Sequence, residues 1–319
     1  MRATTLEELL PAALASRLER LDVLSRKIFA GKLPGERRSK RRGSSVEFDD
    51  YRDYAAGDDL RHIDWNVVAR LDRVFVKLFR EDEDLALHVV VDASASMDAG
   101  TPSKIVLAQR LAMGLAYIGL SGQSRVMVSV MGAPKRAPVQ TLAAVRGRRN
   151  TRRIAEFLLE ASRAPEGESV GVGVGAGVFG EALKAISMRS RMGGRGVMVV
   201  LSDFLVEEEM KRGLGYIGEG HGYDVHAFMV LSPGELEPEK EAGGGVIGDV
   251  RLTDVETGRA TEVSISGAVL RRYKARIAEH VEQVRGACLA RGIGFAMVRS
   301  DADAGDVLLR VLRARGVIG

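Results

Sequence analysis

The chain has little of what usually announces a function. Its one cysteine, Cys288, cannot form a disulfide within the chain, and a reduced cytoplasmic location is expected. Its histidines (His62, His88, His221, His226 and His280) fall into no H-x-x-x-H pattern, and no C-x-x-C exists. That excludes the common zinc sites. No G-x-x-x-x-G-K-[ST] is present, so the chain is not a P-loop ATPase. No apolar run reaches about 18 residues, so no transmembrane helix is expected. The N-terminus, MRATTLEELLPAALASRLERLD, carries acids and lacks the apolar core and cleavage site of a signal peptide. Aromatic residues make up only 5% of the chain. None interleaves with the two basic clusters, Arg37, Arg38, Lys40, Arg41, Arg42 and Arg146, Arg148, Arg149, Arg152, Arg153. A platform for single-stranded nucleic acid is therefore not expected, and both clusters are read as solvated loops and helix ends.

What is present is organised around Leu87–Met97, LHVVVDASASM. A short run rich in β-branched residues reads as a central parallel strand, buried on both faces. Around it, strand and helix patterns alternate. Helical spacing covers 6–29, 103–120, 151–161, 180–188, 206–218, 270–290 and 303–315. Strand patterns cover 125–131, 196–201, 224–231 and 294–298, with 138–142 returning antiparallel. Glu256-Thr257-Gly258 marks a hairpin between 250–254 and 261–265. Strands alternating with helices of ten or more residues predict an α/β fold, a mostly parallel sheet with helices on both faces. The expected organisation is an N-terminal helix (1–30), a basic linker (31–45), a small β-rich subdomain (46–86) and the α/β domain (87–319), with a loop and hairpin insertion near 232–266.

Asp92, Ser94 and Ser96 follow the central strand directly. One carboxylate and two hydroxyls at that spacing offer hard oxygens to Mg²⁺, Mn²⁺ or Ca²⁺; the same residues can also make only local turn hydrogen bonds. Asp203 ends its own buried strand. Two adjacent strands would bring both carboxylates into one crevice at the carboxyl edge of the sheet.

The D-x-S-x-S spacing resembles the metal-ion-dependent adhesion site of von Willebrand factor A domains. The upstream run Arg52, Tyr54, Gly57, Asp58, Asp59, Arg61, Ile63, Asp64, Trp65, then Ala69-Arg70, resembles the signature of the DUF58 family. That resemblance spans roughly residues 45–230. It implies a von Willebrand A-like fold, a divalent metal held by Asp92, Ser94, Ser96 and Asp203, and no enzymatic activity. The implied role is that of a protein-binding adaptor, with an unknown client, for a MoxR-type AAA+ ATPase in chaperone-like or assembly work. The sequence departs from the family at Gly177, where a threonine hydroxyl is usual, which bears on metal occupancy. Read as residues, Arg52, Arg61 and Arg70 interleave with Asp53, Asp58, Asp59 and Asp64. Such a network can brace the metal loop, present a partner surface or be purely structural, and Trp65 is expected to anchor its ring against a sheet.

Two enzyme motifs compete. Gly175-Ala176-Gly177-Val178-Phe179-Gly180 matches G-x-G-x-x-G, with Asp203 as a ribose-binding acid of an NAD-dependent enzyme. The preceding Val170-Gly171-Val172-Gly173-Val174 is a poor strand for that role. Gly167-Glu168-Ser169-Val170-Gly171 matches G-x-S-x-G, with His221 or His226 downstream, but lacks the strand and helix a nucleophile elbow requires. A scaffold with a non-functional metal site is the third reading.

Overall fold

The computed structural model describes residues 4–24, 47–55, 60, 63–71, 73–80, 85–133, 136–163, 178–191, 195–205, 207–218, 222–241, 248–253 and 260–319. The chain forms two compact units, Lys32–Asp84 and Met1–Gly31 together with Leu85–Gly319.

The large unit begins with two short helices, α1 (Leu6–Leu9) and α2 (Ala12–Leu18). This corrects the single helix expected from Leu6 to Phe29. Pro11 disfavours helical backbone at Leu10, which is extended at φ −142°. Beyond the end of α2 at Leu18, Val23 pairs antiparallel with Ile318. The bonds Leu24 N–H to Val317 O and Gly319 N–H to Asp22 O tie the two chain ends together. Residues 25–46, including the basic linker, lie outside the described residues.

In the small unit β1 (Glu47–Asp53) pairs antiparallel with β2 (Phe75–Arg80). Helix α3 (Trp65–Leu71) lies between them in sequence. Asp64 organises the helix entry. It is buried, its Oδ1 accepts from the Asn66 amide at 3.0 Å, and Tyr51 donates its hydroxyl to Oδ2 at 2.8 Å.

The main sheet of the large unit has the order β10-β7-β6-β3-β4-β5. Its strands are β3 (Ala86–Asp92), β4 (Arg125–Met131), β5 (Val139–Val145), β6 (Gly196–Ser202), β7 (Tyr223–Leu231) and β10 (Gly294–Arg299). All neighbours are parallel except β4 and β5. This is a mostly parallel, Rossmann-like α/β fold. A separate antiparallel hairpin, β8 (Gly248–Thr253) and β9 (Ala260–Ile265), occupies the predicted insertion.

Side chains of β3 alternate between two cores. Leu87, Val89 and Val91 join α1, α2 and a long helix, Lys104–Ser121, on one face. Ala86 and Val90 face the helices Val178–Arg191 and Glu207–Gly218 on the other. Burial on both faces is why β3 reads as a continuous apolar run rather than an alternating one. His88, between them, is satisfied without charge. Ser190 Oγ donates to Ile186 O, so His88 Nδ1–H donates to Ser190 Oγ at 2.8 Å, and Nε2 accepts from Ser129 Oγ at 2.8 Å. Burial holds the ring's pKa down at about 3.

The topology fixes where a ligand can sit. From β3 the chain passes to β4 and β5 on one side, then returns to β6, β7 and β10 on the other. The loops after β3 and β6 therefore diverge and leave a crevice at the carboxyl edge of the sheet. Among the described residues no helix is long and apolar enough to cross a membrane.

Candidate functional site

Asp92 closes β3 and is buried. Its Oδ1 accepts from the Ser94 amide at 2.9 Å, and its Oδ2 accepts from Ser202 Oγ at 2.6 Å. Ser202 is the last residue of β6, so the two strand ends are joined by this bond. Ser94 stands at the N-cap of a short helix, Ala95–Asp98, yet its hydroxyl does not cap it. It lies instead 3.1 Å from Ser96 Oγ. Gly132, at φ +71°, makes room for this arrangement: a Cβ there would sit 3.1 Å from Asp92 Oδ1.

Asp203 follows Ser202 and is buried. Its negative charge, after burial itself, is the main reason the Asp92 carboxyl is raised from the ordinary 3.8 to about 6; the Ser202 and Ser94 hydrogen bonds only partly offset this. Phe204, next in the chain, takes left-handed backbone at φ +53°, an uncommon conformation for a bulky residue. Its ring is buried against Phe179, with centroids 5.9 Å apart, and its amide donates to Ser202 Oγ at 3.0 Å. Packing and that hydrogen bond hold the turn that aims Asp203.

The partner of Asp203 was not foreseen. Lys104 opens the long helix Lys104–Ser121, with no exposed surface, and its Nζ donates to Asp203 Oδ2 at 2.9 Å. The same ammonium pairs with Glu235 Oε1. Glu235 belongs to a turn of helix after β7, Pro233–Leu236, where Ser232 and Glu235 form a reciprocal capping box. Burial alone would pull the Lys104 pKa down, but Asp203 and Glu235 outweigh it and hold the group above its usual value. Lys104 is therefore an ammonium ion. Gly100 brings the loop after β3 against Ser232: at φ +90°, a Cβ there would lie 2.4 Å from Ser232 Cβ.

The residues present fit a divalent cation in part. Asp92, Ser94 and Ser96 supply one carboxylate and two hydroxyls on one short segment. Adjacent ligands of an octahedral ion bound at 2.0–2.1 Å stand about 2.9 Å apart, close to the 3.1 Å between the serine hydroxyls. Among the described residues no ammonium or guanidinium pairs with Asp92. Asp203 is different, because one of its oxygens already holds Lys104. Three carboxylates, Asp92, Asp203 and Glu235, against one ammonium leave two uncompensated negative charges when all are ionised. Among the described residues, no cluster of three or more His, Cys, Asp or Glu is placed to hold a metal; the Asp92 set relies on hydroxyls instead.

The other predicted residues divide. Gly57, Asp58, Asp59, Arg61, His62, Ser169, Gly177 and His221 lie outside the described residues. Arg52 and Tyr54 are exposed. Trp65 is a correction: it is 64% exposed, so its ring is not buried against a sheet. Asp64 is the inward residue at the start of α3, and the next position turns about 100° around the helix, away from the sheet. Asp53 pairs with Arg73 at 2.8 Å. Ser103 stands at the N-cap of the helix Lys104–Ser121, but its hydroxyl donates to Met97 O and Asp98 Oδ1 at 3.4 Å instead of capping. Of the second basic cluster, Arg148 pairs with Glu19 and Arg152 with Glu156.

Sequence reading missed Ser202, Lys104, Glu235 and Gly132. Ser202 could have been found beside Asp203 at a strand end. Lys104 looks like any lysine in a helix's first turn, and its partner Glu235 lies 131 residues away.

Fold and site define a mostly parallel α/β protein with a carboxylate–hydroxyl cluster at its topological switch point. Residues 50–283 match the family described as "Protein of unknown function DUF58", and the chain belongs to that family. Uncharacterized proteins of Mycobacterium bovis and Mycobacterium tuberculosis are each 30% identical over 296 residues, covering 91% of this chain and 86% of theirs. An uncharacterized protein of Mycobacterium avium is 32% identical over 141 residues, covering 44% of this chain and 78% of its own. Among solved structures, the pilus adhesin SpaC of Lactobacillus rhamnosus GG aligns with a TM-score of 0.43 and 10% identity, over 75% of this chain and 31% of that one.

Proposed function

We propose that this protein is a non-enzymatic, von Willebrand A-like binding module whose carboxyl-edge site takes Mg²⁺, Mn²⁺ or Ca²⁺. The carrying observation is Asp92: a buried carboxylate that pairs with no ammonium or guanidinium among the described residues, beside a second carboxylate and two convergent hydroxyls. A bound cation would supply a Lewis-acidic point able to accept a partner's carboxylate. Asp92, Ser94 and Ser96 would hold it. Ser202 positions Asp92, and Gly132 leaves space for its carboxylate. Asp203 stands behind, charged and tied to Lys104.

The partner carried by the family resemblance is a MoxR-type AAA+ ATPase, with this chain as adaptor or client selector in the cytoplasm. The test is calorimetric titration of the purified chain with Mg²⁺ and Mn²⁺, beside capture of the cognate ATPase with and without EDTA. Uptake of about one ion, lost in Asp92→Ala along with EDTA-sensitive capture, supports the reading. A folded wild type that takes up no divalent ion removes the metal from it.

The dinucleotide reading has less support. Gly180, in the first turn of the helix Val178–Arg191 where a pyrophosphate would sit, donates its amide to Glu209 Oε2 at 3.2 Å, and that buried carboxylate would repel a phosphate there.

A further inference from the structure

Lys104 has no task in the cation site described so far, yet its placement is costly. A fully buried ammonium loses several kcal/mol of hydration unless carboxylates replace the water. Here two do, from two different loops: Asp203 after β6 and Glu235 after β7. Lys104 itself opens the helix that follows β3 and the Asp92 loop. One ammonium thus joins three of the loops at the carboxyl edge.

Its effect on Asp203 is specific. Oδ2 holds the ammonium, while among the described residues Oδ1 takes a single long contact, from the Leu205 amide at 3.4 Å. To ligate a cation at Asp92 with Oδ2, Asp203 would have to release Lys104. Among the described residues Asp92 receives no such bond: its oxygens take the Ser94 amide and the Ser202 hydroxyl. The ammonium therefore sorts two neighbouring carboxylates into one that is available to a cation and one that is already paired. Glu235 completes the sorting. Its Oε2 accepts from the Ser232 amide at 2.7 Å in the capping box, leaving Oε1 for Lys104.

We propose that Lys104 is a positioning residue, a resident counter-ion that competes with a divalent cation for Asp203 and so sets the site's affinity. This rests on the cation reading of Asp92, Ser94 and Ser96. A purely structural lysine would change stability and leave metal affinity alone.

The test is calorimetric titration of the full chain with Mg²⁺ and Mn²⁺ in metal-free buffer, on wild type, Asp92→Ala, Lys104→Met and Glu235→Gln. A unit charge within about 4–6 Å shifts an ionisation equilibrium ten- to a thousandfold. Lys104→Met should therefore bind the ion at least about tenfold more tightly than wild type, Asp203 being freed. Its melting temperature, lowered in EDTA, should recover on adding the ion. Glu235→Gln keeps the capping box but removes a negative charge, so affinity should fall, by about threefold because Glu235 is partly exposed and screened.

A folded Lys104→Met with unchanged or weaker affinity overturns the proposal. If that variant does not fold, unchanged affinity in Glu235→Gln overturns it and weakened affinity supports it. Uptake by wild type that is lost in Asp92→Ala, with no gain in Lys104→Met, leaves the cation reading standing and the counter-ion role refuted. No uptake by wild type but clear uptake by Lys104→Met means the ammonium replaces the metal in the native protein: the counter-ion role holds and the cation reading falls. No uptake by either refutes both.

Discussion

Replacing Asp92 by asparagine should stabilise the metal-free protein at neutral pH, although it removes a residue at the centre of the site. Asp92 is raised from 3.8 to about 6 by burial and by Asp203. At 1.36 kcal/mol per pH unit, charging it in the folded state costs about 3 kcal/mol. The sign follows from a folded value above the unfolded one. The favourable contribution is complete below about pH 3.8 and is lost as pH rises through about 6. Asparagine never charges, but it is not free of cost. If its carbonyl keeps the Ser94 amide, its NH₂ faces Ser202 Oγ, which now donates to Asp92 Oδ2 at 2.6 Å. Losing that bond costs about 1 kcal/mol. The net effect of Asp92→Asn in EDTA is then near zero at pH 4.5 and about 2 kcal/mol stabilising at pH 7.5. Urea unfolding followed by far-UV circular dichroism at both pH values measures it. Comparing variant with wild type at each pH cancels the other titrating groups. Saturating Mg²⁺ or Mn²⁺ should then stabilise the wild type and not the variant, by about 2.7 kcal/mol at a hundredfold excess over Kd. A destabilisation of equal size at both pH values would refute the reasoning, because it would mean Asp92 is ionised at no cost and needs no cation.

His88 should behave oppositely. Its folded pKa is depressed to about 3 by burial, so its contribution is present above about pH 6.5 and is lost as pH falls towards 3. His88→Leu should cost about 1–2 kcal/mol at pH 7.5 for two lost hydrogen bonds. Its deficit relative to wild type should shrink by about 1.4 kcal/mol per pH unit below 6.5, and a constant deficit in urea melts would contradict the neutral buried ring. Gly132→Ala should lower stability by about 1–2 kcal/mol for the left-handed backbone. It should also weaken divalent binding, since the new methyl crowds Asp92 Oδ1; calorimetry on the folded variant reads both effects. Millimolar NAD(P) should leave the melting temperature unchanged, because Glu209 already takes the Gly180 amide; a saturable upward shift would restore the dinucleotide reading.

What the sequence determined by itself is the layering and the place of the site. Buried runs such as Val89–Val91 and Val197–Leu201 have no polar face, and only a sheet covered on both sides accommodates them. Their abrupt polar ends, Asp92 and Ser202-Asp203, mark the carboxyl edge because the change from apolar to polar is local in the chain. Helix ends were legible only where a local cause exists. Where the deciding contact is distant, as in the pairing of Val23 with Ile318, the periodicity of the first thirty residues misled. Trp65 shows the same limit within one turn: its large apolar ring makes it an expected anchor, while the burial of Asp64 one position earlier sends it outward. The electrostatics of the site belong wholly to the tertiary structure. Lys104, Asp203 and Glu235 come from segments that follow three different strands, and nothing in their spacing couples them. Only the strand order, which sets β3 and β6 side by side with β7 beyond, brings one ammonium to two carboxylates and joins Asp92 instead to the Ser202 hydroxyl. A charge's partner in a folded chain is chosen by proximity in space, which sequence separation does not encode.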